Sequence, residues 1–294
     1  MRHLVYRATA TLALLSGSST AIFSCRGPRP VGGDSLEVRP NSRPLAFRVP
    51  AESDIADSQL QASLRRGRAL LRYTRDSLPR NVGNALACVS CHPDDGTRPG
   101  VMPWVGVYAR FPQYRRRSGT VQVIEDRIND CFERSMNGRP LPPGSRDMRD
   151  IVAYMAFLSL GYPVGSHVQG QGLRQLPPLS GDSARGKALF ASVCATCHGT
   201  DGGGTAVAPP LWGPRSYNIG AGMARVRTAA AFIRVAMPRN APGTLDDQQA
   251  FDLAVFINRQ TRPDFPAKAL DWPNGDAPPD VAYPTLGASR STKR

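Results

Sequence analysis

Between Ser53 and about Tyr73 the apolar residues Leu60, Leu64, Leu70 and Leu71 recur at helical spacing, with polar and charged residues between them. A second helix is predicted in the stretch Arg127 to Pro140. At about 100° per residue, Ile124, Ile128, Cys131 and Ser135 share one inward arc with Phe132 and Arg127 at its edges, while Glu125, Asp126, Asn129, Asp130 and Glu133 face away. Asn137-Gly138 ends it. A third helix runs from about Arg146 to Leu160, with Met148, Ile151, Val152, Met155 and Leu158 on its apolar face. Then the order repeats. Arg66-Gly67-Arg68-Ala69-Leu70-Leu71 matches Arg185-Gly186-Lys187-Ala188-Leu189-Phe190, and a short helix is predicted from Thr228 to Ala236. Thr244-Leu245-Asp246-Asp247 makes a capping-box-like start to a last helix through Phe251, Leu253, Ala254, Val255, Phe256 and Ile257. The closing helices of both sets carry Asp before an aliphatic residue, Asp150-Ile151 and Asp252-Leu253.

This pattern divides the chain into a domain at 53–160 and a second at 181–265, joined by a linker at 161–180 that contains Pro163, Pro177 and Pro178. Residues 1–25 read as an export signal, with Arg2 and Arg7 ahead of an apolar and small-residue run, Ala8 to Phe23, that is short for a bilayer span. Its end, Ile22-Phe23-Ser24-Cys25, resembles a bacterial lipoprotein box, in which the cysteine is lipidated. The expected location is the periplasm or cell surface, with a membrane anchor at Cys25. Residues 26–52, rich in Pro, Gly, Ser and Arg, read as a tether. Residues 266–294 are Pro-rich and polar with little periodicity, and should wrap the surface or be disordered.

Six cysteines in an exported chain first suggest disulfides. The spacing argues for something else. Cys88-Val-Ser-Cys91-His92 and Cys194-Ala-Thr-Cys197-His198 are both C-x-x-C-H, the attachment signal for c-type haem, in which two thiols bond the porphyrin and the histidine ligates iron. The rival, a Cys₄ zinc site, is disfavoured by the long separation of the two pairs and by the histidine after each. The expectation is two haem c groups, covalently attached, with His92 and His198 as iron ligands.

Met237 follows His198 by 39 residues, and Cys131 follows His92 by the same 39. The register therefore places Cys131 and Met237 where second axial ligands stand. Met223 is the other candidate in the second domain; in the first, Met136, Met148 and Met155 could each supply a thioether, leaving Cys131 a buried thiol. Helices in this order around a covalent haem resemble the class I cytochrome c fold. The fold expected is thus all-α, two tandem class I cytochrome c domains.

The formal net charge is +14, and it falls by two when Arg2 and Arg7 leave with the signal. Outside the cytoplasm nucleic acid is an implausible partner. A basic surface instead steers anionic substrates, an acidic redox partner or the membrane face.

Arg127-Ile-Asn-Asp-Cys131-Phe-Glu-Arg-Ser135-Met-Asn-Gly138 after a C-x-x-C-H resembles the signature of the dihaem thiosulfate dehydrogenases, the tetrathionate-forming cytochromes, with a related pattern in the haem-thiolate cytochrome subunit of the Sox sulfur-oxidising complex. The resemblance covers roughly residues 53 to 262. It implies His/Cys ligation at an active-site haem, here His92 and Cys131, and His/Met ligation at an electron-transfer haem, here His198 and Met237. It also places the substrate contacts of the family on Arg117, Arg127 and Ser135. Ala236 stands where some relatives carry a ligating lysine beside the methionine. Arg127, Cys131 and Ser135 are spaced i, i+4, i+8, on one helix stripe with about 6 Å of rise between successive members. A guanidinium and a hydroxyl flanking a thiolate suit the compact thiosulfate dianion. The function implied is oxidation of thiosulfate to tetrathionate, in either direction, with electrons leaving for a soluble cytochrome or similar acceptor. The non-enzymatic alternative is a dihaem electron-transfer cytochrome.

Overall fold

The computed structural model describes residues 43–285; the expected export signal, Cys25, most of the tether and the last part of the tail lie outside the described residues. Asp57 starts α1 (Ser58–Arg72) by accepting the Leu60 amide at 2.8 Å. A single turn, α2 (Thr74–Ser77), follows. Its buried Thr74 hydroxyl donates to the Leu71 carbonyl and accepts the Cys88 amide at 3.0 Å, which ties the first C-x-x-C-H to the end of α1. After His92 come the turn α3 (Pro93–Gly96) and an antiparallel hairpin, β1 (Gln113–Arg115) with β2 (Thr120–Gln122). Next are α4 (Ile124–Arg134) and α5 (Arg146–Phe157), the latter capped by Ser145. The second half is α6 (Ser183–Leu189), α7 (Ala195–His198), α8 (Val226–Ala236) and α9 (Asp247–Asn258). The regular secondary structure of the described residues is helical apart from the one hairpin and isolated bridges.

The sequence repeat turns out to be a helix crossing made twice. A Cβ on Gly67 would lie 2.0 Å from the Asp150 carbonyl oxygen, and one on Gly186 would lie 2.1 Å from that of Asp252. Only glycine lets α1 reach α5, or α6 reach α9, at that separation. Each contact is locked by the neighbouring arginine: Arg66 pairs with Asp150, and Arg185 Nε donates to Asp252 Oδ2 at 2.7 Å. The apolar faces close around these crossings. Leu71, Phe132, Met148, Ile151 and Leu158 are fully buried in the first half, and Phe251, Leu253 and Ala254 are buried in the second.

The two halves share an interface. Tyr217, from the second half, is 6% exposed and packs into the first core. Asn218 Nδ2 donates to the Glu133 carbonyl at 2.8 Å and to Asn137 Oδ1 at 3.0 Å, while Asn84 Nδ2 donates to the carbonyls of Ser135 and Ser216. The C-terminal end of α4 is therefore held from both sides.

Two stretches without periodicity are more ordered than their composition suggests. The middle of 161–180 packs back on the first half: the amides of Gly100 and Met102 donate to the carbonyls of Gly170 and Gly172, and Gln171 Nε2 donates to the Val105 carbonyl. The tail wraps the surface through its described part, with Trp272 and Tyr283 buried. No helix of the described residues is long and apolar enough to cross a membrane.

Candidate active site

α4 is positioned by its own sequence. Asp126 accepts the Val123 amide at 3.0 Å and closes the first turn, while Ile124, Ile128 and Phe132 are buried and turn the helix inward. That rotation sets Arg127, Cys131 and Ser135 in the wall of a cavity of about 250 Å³ also lined by Cys88, Cys91 and His92. Arg127 Nη1 donates to Cys131 Sγ at 2.8 Å. The electrostatic interaction with Cys131 raises the pKa of this guanidinium, and burial opposes it without reversing the direction.

His92 faces the same space in a defined orientation. The Met102 carbonyl accepts a hydrogen bond from its Nδ1 at 2.5 Å, so Nδ1 carries the proton and the other ring nitrogen is free to bind. Burial pushes its pKa down to about 4, partly offset by the carbonyl, so the ring is neutral and ligand-competent at physiological pH. Burial pushes the Cys88 and Cys91 thiols up to about 12.

A second cavity, of about 770 Å³, is lined by Cys194, Cys197, His198, Met223 and Met237. α8 ends with Met237 as its C-cap, which delivers the thioether to the wall. His198 Nδ1 donates to the Pro209 carbonyl at 2.8 Å, the same arrangement as His92. Burial lowers the His198 pKa and raises that of Cys194 to about 11. Cys91 lines both cavities, whereas Val89, Ser90 and Tyr217 line the second alone. In each cavity two C-x-x-C-H thiols, one oriented histidine and further sulfur side chains converge among apolar side chains, a donor set that fits a haem c.

Among the residues singled out from sequence, Cys88, Cys91, His92, Cys131, Arg127 and Ser135 meet in the first cavity and Cys194, Cys197, His198 and Met237 in the second. Arg117 does not join them. Its Nη1 donates to the Gly220 carbonyl at 2.8 Å and its guanidinium lies 4.5 Å over the Trp272 ring, on the far side of the hairpin. The reason is the turn that begins after Arg115: strand alternation ends there, and Arg117 rotates away from the face that Gln113 and Arg115 share. The cavity instead receives Arg110, Gln113 and Arg115. Burial lowers the Arg115 pKa to about 10, with the positive charge of Arg127 adding to the effect. Of the alternative thioethers, Met136 and Met155 touch the first cavity, whereas Met148 is enclosed in the core.

The family description SoxA/TsdA, cytochrome c domain, matches residues 80–164, and that of cytochrome c oxidase, cbb3-type, subunit III, matches residues 181–257. The chain is 43% identical to a thiosulfate dehydrogenase of Psychrobacter arcticus over 257 residues, 85% of this chain and 77% of that one. It is 46% identical to a thiosulfate dehydrogenase of Allochromatium vinosum over 232 residues, 75% of this chain and 86% of that one. The chain belongs to the thiosulfate dehydrogenase family. Among solved structures, the thiosulfate dehydrogenase TsdBA of Marichromatium purpuratum in its as-isolated form superposes with a TM-score of 0.74 at 34% identity. The match takes in 81% of this chain and 55% of that longer one, so this member of the family spans just over half of that solved chain. It is an oxidoreductase of two cytochrome c domains, and such domains imply haem c binding.

Proposed function

We propose that this thiosulfate dehydrogenase homologue joins two thiosulfates into tetrathionate in the first cavity and passes the electrons through the second to a soluble cytochrome or similar acceptor. The observation that carries the reading is the contact of Arg127 with Cys131 at 2.8 Å in the cavity that also holds His92. Two covalent haems, one held by Cys88, Cys91, His92 and Cys131 and the other by Cys194, Cys197, His198 and Met237, would supply one-electron acceptors.

The side chains would act as follows. Arg127 and Arg115 attract the dianion, and with the Ser135 hydroxyl they hold its sulfonate oxygens through charge-assisted bonds. The Cys131 thiolate and the outer sulfur of thiosulfate join in an S–S bond, and two electrons leave. A second thiosulfate attacks that outer sulfur, the bond to Cys131 breaks, and tetrathionate departs with the Cys131 thiolate restored. No net proton moves. Cys91 lines both cavities.

The sequence at the amino terminus supports an exported protein anchored through lipid at Cys25. The test of function uses purified holoprotein carrying two covalent haems by intact mass. Thiosulfate alone should reduce it, and with an acceptor present a tetrathionate should appear for every two thiosulfates consumed. A protein that dithionite reduces and thiosulfate does not would be an electron carrier instead.

A further inference from the structure

Beyond α9 the chain turns back across the molecule, and its contacts are concentrated on the elements that wall the first cavity. Asp271 is 2% exposed. Its two oxygens accept from Arg134 at 2.7 and 2.8 Å, at the end of the helix that carries Cys131. Arg117 Nε lies 3.9 Å from the same carboxylate, and the Tyr283 hydroxyl donates to it at 2.5 Å. The next residues lie behind the hairpin. The Trp272 amide donates to the Arg117 carbonyl at 2.8 Å, and Asn274 Nδ2 donates to the Tyr114 hydroxyl at 3.0 Å. Pro273 fits so closely against the hairpin turn that a Cβ on Gly119 would lie 2.7 Å from its Cγ. Tyr114 is on the opposite face of β1 from Gln113 and Arg115, which line the cavity. Further along, Asp280 accepts from Arg225 Nε at 3.0 Å and from the Arg227 amide at 2.9 Å, fastening the segment to the start of α8.

We infer that residues 264–283 are a strap that holds the Arg115 hairpin and the Cys131 helix against the first cavity, with Asp271 as its positioning residue. The chemistry favours one carboxylate in this role. Arg117 and Arg134 are both largely enclosed, and burial lowers the pKa of Arg117; Arg134 also pairs with Asp130 at 3.5 Å, but Asp271 is the carboxylate that meets both guanidinium groups and so lets the two cations approach each other behind the cavity. With the carboxylate gone they repel, the hairpin moves away from α4, and Arg115 loses its place on the wall. The cavity would then keep Arg127 and Cys131, whose contact is internal to α4, and lose the cation on the opposite side. Binding of a dianion depends on both; bond making at Cys131 depends chiefly on the first.

This inference rests on the proposed thiosulfate chemistry for its kinetic arm only. In the holoprotein, Asp271→Asn should raise the KM for thiosulfate at least tenfold while kcat changes much less, and Asp271→Glu should recover most of the loss. Hydrogen exchange should quicken across residues 113–122 and at the end of α4 and stay unchanged in α9. If Asp271→Asn does not fold, Tyr283→Phe, which removes one bond to the carboxylate and no charge, should shift both readouts in the same direction by a smaller factor. Unchanged exchange in the hairpin, or faster exchange with an unchanged KM, would overturn the proposal. A wild type that thiosulfate fails to reduce would overturn the functional reading instead, and the exchange arm would still decide whether the strap holds the hairpin.

Discussion

Arg127→Gln isolates the guanidinium that touches Cys131. The bond is 2.8 Å long, lies inside the first cavity and is local to one helix, so its removal leaves the C-x-x-C-H motifs and the core side chains in place. A hydrogen bond to a charged partner contributes about 1.5–3 kcal/mol. At about 1.4 kcal/mol per factor of ten, its loss in the step that forms the Cys131–sulfur bond slows turnover by about 10- to 150-fold. The same cation also contacts the incoming dianion, so KM should rise as well. Arg127→Lys keeps the charge without the planar fork and should fall between wild type and Arg127→Gln. The assay is steady-state thiosulfate oxidation with a soluble acceptor, on protein whose covalent haem content equals that of wild type. Turnover of Arg127→Gln within about threefold of wild type, less than a charge-assisted bond implies, would refute the assignment.

On the proposed ligation, Met237→Ala should lower the potential of the haem in the second domain and leave that of the first, because it removes a thioether that would stabilise ferrous iron; a redox titration with both potentials unchanged would move the proposed ligand to Met223, which lines the same cavity. Gly186→Ala should lower the melting temperature by several degrees. Its Cβ would stand 2.1 Å from the Asp252 carbonyl oxygen, and the overpacking, about 1–3 kcal/mol or more, outweighs a gain of about 1 kcal/mol in helix propensity. An unchanged thermal transition would mean that α6 and α9 can part at no cost.

The elements that carry the donor groups were legible in the sequence because each is a local pattern. The arc Ile124, Ile128 and Cys131 faces inward as its helical period requires, and the 39-residue register brought Cys131 and Met237 each to the cavity of its own C-x-x-C-H. The repeated Arg-Gly and Asp pairs were visible as repetition; that they form a crossing too close for any Cβ is a property of the tertiary packing. Arg117 and Arg115 differ only in where a strand stops. That is decided by a turn whose Gly119 amide donates to the Arg115 carbonyl, and neither residue type announces it. Gln171 and Asp271 lie in stretches with no period to read, a turn and the end of a short 3-10 helix. Their roles arise from contacts with residues 66 and 137 positions away, Val105 and Arg134.

The central claim is that Cys131 is the atom that reacts, and thiosulfate-dependent turnover of Cys131→Met measures it. Attachment of both haems depends on the C-x-x-C-H motifs alone, and methionine can occupy an axial position, so this variant should be recovered with two covalent haems and an intact fold. Methionine cannot form and release a bond to the outer sulfur of thiosulfate, whereas a thiolate does both. The account predicts that dithionite still reduces both haems of Cys131→Met and that thiosulfate oxidation is abolished. Oxidation of thiosulfate by this variant at a rate near that of wild type would contradict it.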